Sequence, residues 1–234
     1  MNTKTIDGLN CYICGKNSSK KIFFWFIDSR NSINIEQIYS NLLKSSPDTD
    51  FLLVACAVAN WNDDLSPWHA DSVFGDSDFS GEGSKTLDWL KTSCIPYILD
   101  LYNTDLSDSS LFIGGYSLAG LFSLWAFYEL KIFNGVCACS SSMWFPGWKN
   151  YVLTHTTPDN CIIYLSLGIK EEKTKNPTMS TVGNVTRKIY EHYSNDSHVG
   201  KCILEWNNGN HFTEIENRIF KGFSWLLNNY QVML

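Results

Sequence analysis

One serine in this chain stands where a hydroxyl can become a nucleophile. Ser117 lies in the run Leu111-Phe112-Ile113-Gly114-Gly115-Tyr116-Ser117-Leu118-Ala119-Gly120, an apolar β-type segment that breaks into glycines and enters an amphipathic helix. A serine attacks a carbonyl carbon only when it is held clear of its own backbone, and a sharp strand-to-helix turn does this by forcing strained dihedrals at the nucleophile. Such a turn demands small residues two positions before and two after the serine. Gly115 meets the first demand, Ala119 the second, and Gly120 follows one position later. Taken alone, the pattern reads equally well as a strand-end glycine turn with an incidental serine, so its partners decide the matter.

A serine needs a general base, and five histidines are available: His69, His155, His192, His198 and His211. His211 follows the last predicted strand in Asn207-Asn208-Gly209-Asn210-His211-Phe212, a polar loop opening onto the terminal helix. That is the place of the base in the chain order Ser…Asp/Glu…His. His155, His192 and His198 fall in polar, surface-like stretches, and His69 is expected beside a pocket without a part in proton transfer. The acid belongs between serine and base, after the penultimate strand, where Gly168 is followed by Ile169-Lys170-Glu171-Glu172. Glu171 is the expected acid because it comes earlier in the loop and stays nearer the strand end, with Glu172 as the alternative. Its task is to fix the imidazole tautomer and stabilise the cation that forms. The loop after residues 135–140 offers no carboxylate, which favours Glu171.

An oxyanion needs two donors aimed at the developing charge. The backbone N–H of Leu118, at a helix start, is one; the loop Asp28-Ser29-Arg30 supplies the other, with Ser29 preferred. Residues 60–81 form a long loop mixing aromatic and acidic residues, and a second loop carries Trp144 and Phe145. Long loops of this kind are usually functional or disordered, and aromatic content argues against disorder. Trp61, Trp68, Trp144 and Tyr116 are accordingly expected to contact substrate in an aromatic-lined cleft.

These residues need a scaffold that gathers them at one edge. Strand patterns fall at 10–14, 22–27, 51–58, 110–114, 135–140, 162–167 and 202–206, and helical patterns at 35–43, 84–101, 118–130, 178–193 and 213–230. Continuous apolar strands such as Phe-Leu-Leu-Val-Ala-Cys-Ala-Val, alternating with helices, predict an α/β fold with a mostly parallel central sheet covered by helices on both faces. In such sheets ligands bind beyond the carboxyl ends of the strands, where Ser117 sits. The 234 residues suit a single domain spanning 1–234.

Composition narrows the partners. Lys and Arg number 18 against 24 Asp and Glu, a net charge of −6, which provides no basic field for nucleic acid. The first residues contain no apolar run, and no stretch approaches the apolar length of a membrane span, so a cytoplasmic protein acting on a small molecule is expected. Most of the eight cysteines lie inside apolar strand-like runs and read as small core residues of a reducing compartment. Cys11-Tyr12-Ile13-Cys14 has redox or metal spacing but lacks both a following helix and a second ligand pair, so no metal is expected there.

Five segments together carry a family resemblance: Gly114-Gly115-Tyr116-Ser117-Leu118-Ala119-Gly120; Asn60-Trp61-Asn62 with Leu65-Ser66-Pro67-Trp68; Ser142-Met143-Trp144-Phe145-Pro146-Gly147; Leu165-Ser166-Leu167-Gly168 with Glu171-Glu172-Lys173-Thr174; and Glu205-Trp206-Asn207 with Gly209-Asn210-His211-Phe212. Over nearly the whole chain it resembles esterases of the α/β-hydrolase superfamily, in the small branch similar to enterochelin (siderophore) esterases and, more distantly, S-formylglutathione hydrolases. The resemblance implies a serine hydrolase that cleaves carboxylic esters through an acyl-enzyme without metal or organic cofactor, using Ser117, His211 and Glu171. Ile169 stands where such esterases often place an aspartate, so a Ser117–His211 dyad stays open. The siderophore itself does not carry over, because no cluster of arginines marks the pocket loops. An acyltransferase or thioesterase could use the same residues, and a catalytically silent binding protein is the alternative from another class. A homo-oligomer is compatible with the sequence.

Overall fold

The computed structural model describes residues 1–230 apart from 17, 18, 31, 32, 74 and 76. Eight strands form one sheet: β1 (Asn2–Ile6), β2 (Leu9–Cys14), β3 (Lys21–Asp28), β4 (Phe51–Val58), β5 (Ser110–Tyr116), β6 (Gly135–Cys139), β7 (Cys161–Gly168) and β8 (Val199–Asn207). Their spatial order is β1-β2-β4-β3-β5-β6-β7-β8. All pairings from β4 across to β8 are parallel, and β1 and β2 add an antiparallel edge. The parallel strands β4, β5, β6 and β7 are buried along their whole length, as continuous apolar runs require when helices cover both faces.

The helices are α1 (Ile35–Ser45), α2 (Trp61–Asp64), α3 (Gly83–Trp89), α4 (Ile95–Leu101), α5 (Leu118–Leu130), α6 (Trp148–Thr154), α7 (Val182–Ser194) and α8 (Ile215–Asn229). Ile35, Ile38 and Leu42 of α1 pack with Ile219, Phe223 and Leu226 of α8 on one face of the sheet. The other face carries α3 to α7. Both layers stand on aromatic strand residues: Phe23 and Phe112 stack at 4.6 Å on the α8 side, and Phe26 meets Phe122 of α5 edge-on at 4.7 Å on the other. Full burial of one such side chain stabilises by roughly 1.5–3 kcal/mol.

Three local outcomes depart from expectation. The helical pattern at 84–101 divides at a π-type turn, Leu90–Cys94. Pro96 follows directly; it has no N–H for the carbonyl four residues back, and its ring clashes there, so the wider turn absorbs the change. Helix α5 is not amphipathic, since every residue from Leu118 to Tyr128 is buried. An all-apolar helix of this kind belongs in the interior, beneath its neighbours. Strand β1 was not expected from the polar first residues, yet it pairs with β2 through Asp7-Gly8, a dipeptide suited to two-residue hairpin turns. Among the described residues no helix is long and apolar enough to cross a membrane.

Candidate active site

Ser117 occupies the turn between β5 and α5 with φ 59° and ψ −124°. A non-glycine residue held there costs of order 1–3 kcal/mol and persists only where its surroundings fix it. They do so from both sides. The Ser117 N–H donates to the Cys139 carbonyl at 3.0 Å, and its own carbonyl accepts from the N–H groups of Gly120, Leu121 and Ser142. A Cβ at Gly115 would lie 2.5 Å from the Ala119 backbone, so the chain can fold back this tightly only over glycine.

His211 reaches this serine from the far side of the sheet, on the loop after β8. Its Nε2 lies 3.0 Å from Ser117 Oγ and its Nδ1 lies 2.8 Å from Glu171 Oε2. Glu171, in the turn after β7, also accepts from the Gly168 N–H at 2.7 Å. The two loops are laced together: Ile169 N–H donates to the Asn207 carbonyl and Lys170 N–H to that of Gly209. Gly168 permits this approach, since a Cβ there would stand 2.7 Å from the Gly209 carbonyl oxygen. Glu172 points elsewhere, paired through both oxygens with Arg187 at 2.7 and 3.0 Å. Burial by itself would raise the Glu171 carboxyl, but hydrogen bonds from His211 and the Gly168 amide outweigh it and hold the group below its ordinary range.

Arg218 completes the arrangement, and the sequence reading passed over it. Fully buried, its Nη1 lies 2.8 Å from Glu171 Oε1, 2.8 Å from Ser140 Oγ and 3.1 Å from the Tyr116 hydroxyl. Its Nη2 donates to the carbonyls of Asn208 and Asn210, both at 2.9 Å. The guanidinium thus ties the acid to the loop that carries the base. A signal existed: Arg218 falls on the stripe of α8 otherwise made by Ile219, Gly222, Phe223 and Leu226, where a charge is out of place unless paired. Tyr116 acts on the same loop. Its hydroxyl donates to the His211 carbonyl at 2.6 Å, and burial pushes that hydroxyl up to about 12, so it remains protonated and a donor.

Two cavities meet at His211 and at Phe212, whose ring is 80 % exposed. The first, about 410 Å³, contains Ser117 and is walled by Trp25, Ile27, Trp61 and Tyr116. The second, about 470 Å³, lies toward the ends of β6 and β7 and includes Trp144 and Glu171. Trp61 and Tyr116 therefore line the first cavity and Trp144 the second. Trp68 lines neither: its indole N–H donates to the Pro146 carbonyl at 2.8 Å and its ring packs on Phe145 and Trp148, so it ties two loops together away from both cavities. His69 is exposed and lines neither. The 60–81 loop has structure of its own, with α2 at its start and a bridge between Ala70 and Phe79; Phe74 and Asp76, also expected in this wall, lie outside the described residues.

The Leu118 amide sits at the first position of α5, where helical amides have no partner within the helix. Ser29 is a correction. Its N–H donates to the Val58 carbonyl at 2.9 Å, on the β4 side, and is spent. Because amides alternate in direction along a strand, the preceding N–H, that of Asp28, faces the β5 side, just past the end of that ladder at Phe26 and Gly115. Asp28 lines the cavity that contains Ser117, and its carboxylate is engaged by Arg30 at 2.8 and 2.9 Å.

As for metal ligands, Cys11 and Cys14 cannot act together, because three positions along a strand place them in the cores on opposite faces of the sheet. Cys11, Cys56 and Cys94 do converge, with sulfur atoms within 4.8 Å of one another, fully buried and in hydrogen-bond contact among themselves. They sit on β2, on β4 and in the π-type turn before α4, apart from Ser117.

A serine in a tight strand-to-helix turn after a central parallel strand, with a carboxylate after the next strand but one and a histidine after the last, is the arrangement of the α/β-hydrolase fold, and this chain has that fold. No family model matches the sequence. A relative from Bacillus subtilis, the uncharacterized protein YbbA, is 23 % identical over 145 residues, covering 61 % of this chain and 58 % of that protein, so the match spans little more than half of the relative's length. An IroE-like serine hydrolase from Shewanella oneidensis superposes with a TM-score of 0.77 at 13 % identity, over 96 % of this chain and 77 % of that one. The siderophore hydrolase EstA from Aspergillus nidulans gives 0.70 at 12 % identity, over 95 % and 91 %. The structures that share this fold include a serine hydrolase and siderophore hydrolases, at 12–14 % identity to this chain.

Proposed function

We propose that the protein is a serine hydrolase of carboxylic esters, with Ser117 as nucleophile, His211 as general base and Glu171 as the acid that orients it. The observation that carries this reading is the unbroken chain from Glu171 Oε2 to His211 Nδ1 at 2.8 Å and from His211 Nε2 to Ser117 Oγ at 3.0 Å. The esterases and hydrolases that share the fold support it at the level of reaction class.

In this scheme His211 Nε2 takes the Ser117 hydroxyl proton as Oγ bonds to the acyl carbon, and the carbonyl oxygen becomes an oxyanion held by the amides of Leu118 and Asp28. Glu171 keeps the Nδ1 proton in place and stabilises the imidazolium. The ester oxygen then takes the Nε2 proton and departs as the alcohol. Water, losing a proton to the same nitrogen, attacks the acyl-enzyme; the Ser117 oxygen recovers that proton and the carboxylic acid leaves. Each oxyanion donor contributes about 2.7–4 kcal/mol in measured hydrolases. The pairing of Asp28 with Arg30 keeps that carboxylate from opposing the oxyanion beside it.

A fluorophosphonate probe should label Ser117, and Ser117→Ala should lose both labelling and ester turnover, the latter on the order of a millionfold, with an unchanged circular dichroism spectrum. A folded wild-type protein that resists the probe would remove the basis of this assignment.

A further inference from the structure

The second cavity has a chemical character that the triad does not explain. Trp144, Met179 and Val182 give it an apolar wall, while Lys170, Lys173, Thr174 and Ser141 add polar groups. Ser141 is only 2 % exposed, so the polar groups a ligand would meet are chiefly those of Lys170, Lys173 and Thr174. The charges there are unbalanced. Glu171 is matched by Arg218 and Glu172 by Arg187, which leaves Lys170 and Lys173 as surplus positive charge on the rim of a chain whose net charge is −6.

The position of the cavity assigns its role. Ser117 and Asp28 both line the first cavity, and the Asp28 amide faces the β5 side, so this cavity is the one that receives the acyl carbonyl. The second cavity lies across His211, lined by His211 and Glu171 but not by Ser117. A departing alcohol must lie next to His211 to take its proton, on the side away from the acyl chain.

We propose that the cavity between the ends of β6 and β7 is the leaving-group subsite and selects alcohols or phenols that carry an anionic group, with Trp144 against the body of the leaving group and Lys170 and Lys173 facing its charge. This rests on the hydrolase reading above. Lysines are flexible point charges suited to such a rim contact, where arginines would impose a fixed fork.

The test compares para-acetoxybenzoate with para-acetoxybenzamide, which share an acyl group and differ in the charge of the phenol released. The carboxylate ester should have the higher kcat/KM, through a lower KM, and the advantage should shrink as salt screens it. Lys170→Gln with Lys173→Gln should lower the carboxylate-to-carboxamide ratio about tenfold, since each exposed pair contributes up to roughly fivefold. Lys175→Gln, exposed nearby but outside the lining, should leave the ratio where it was. Equal kcat/KM for the two esters, or a ratio indifferent to the double substitution, overturns the proposal and leaves the hydrolase reading standing. If neither acetyl ester is cleaved, protection of Ser117 from fluorophosphonate by para-hydroxybenzoate against para-hydroxybenzamide reads the same preference, and equal or absent protection is again negative. Failure of the probe to label Ser117 at all takes down both.

Discussion

Arg218 holds a full charge at zero exposure, and its contacts explain why it is tolerated: a carboxylate, two hydroxyls and two backbone carbonyls surround it. Breaking a buried ion pair from one side leaves an uncompensated charge and costs about 3–5 kcal/mol. Arg218→Met should therefore lower stability by that order in urea unfolding. It should also reduce kcat in the protein that remains folded, because Glu171 and the 208–210 loop lose their common anchor. Arg218→Lys should restore part of the stability and little of the rate, since an ammonium keeps the charge but cannot span acceptors on both sides. Equal recovery of stability and rate would mean that charge alone matters. Ser117, Glu171 and His211, which lie within hydrogen-bond reach of one another in the order Glu171–His211–Ser117, could each be picked out in the sequence because each follows a strand in the chain order Ser…Glu…His. Arg218 was overlooked because its partners come from four separate segments. The Ser29 amide is spent on the Val58 carbonyl, which the sequence does not reveal because the direction of an amide alternates along a strand and depends on which strand lies on each side.

The element that fixes Ser117 is the β5–α5 turn, and its tightness rests on Gly115. A methyl group there would overlap the Ala119 backbone at 2.5 Å, and neither segment can retreat, with β5 buried in mid-sheet and α5 buried on every side. Gly115→Ala should cost about 1–3 kcal/mol through overpacking. It should also slow fluorophosphonate labelling of Ser117 by roughly a hundredfold through displacement of the hydroxyl. Normal labelling in a folded Gly115→Ala protein would show that the turn can widen without harm. Strand positions were readable here because continuous apolar runs of eight residues leave few alternatives. The all-round burial of α5 and the π-type turn before Pro96 were not readable, since both depend on what packs against those helices.

For the whole molecule, the buried cluster around Glu171 should shape stability in acid. Its carboxyl is held below the ordinary range in the fold, whereas in the unfolded chain it titrates near about 4.3. The unfolded state therefore takes up this proton first as pH falls. The contribution of Glu171 is fully present above the unfolded value and is lost as pH drops through the lower folded one. Unfolding free energies measured between neutral pH and about pH 3 should decline less steeply for Glu171→Gln than for the wild type. Identical slopes would show that the proton on Glu171 is not coupled to folding.

What the sequence determined by itself was the set of elements and their chemical punctuation: apolar strands alternating with helices, a glycine-flanked serine at a strand end, and an acid and a histidine after later strands. These are local properties, set by periodicity, steric demand at a turn and chain order. The tertiary structure alone decided which groups touch. It spent the Ser29 amide on β4, tied Trp68 into loop packing, and set Arg218 under the loops that carry Glu171 and His211. It also placed Lys170 and Lys173, without an ion pair among the described residues, in the lining of the second cavity. Each of these depends on the direction of a side chain or amide within a packed sheet, which arises only when segments distant in sequence are brought together.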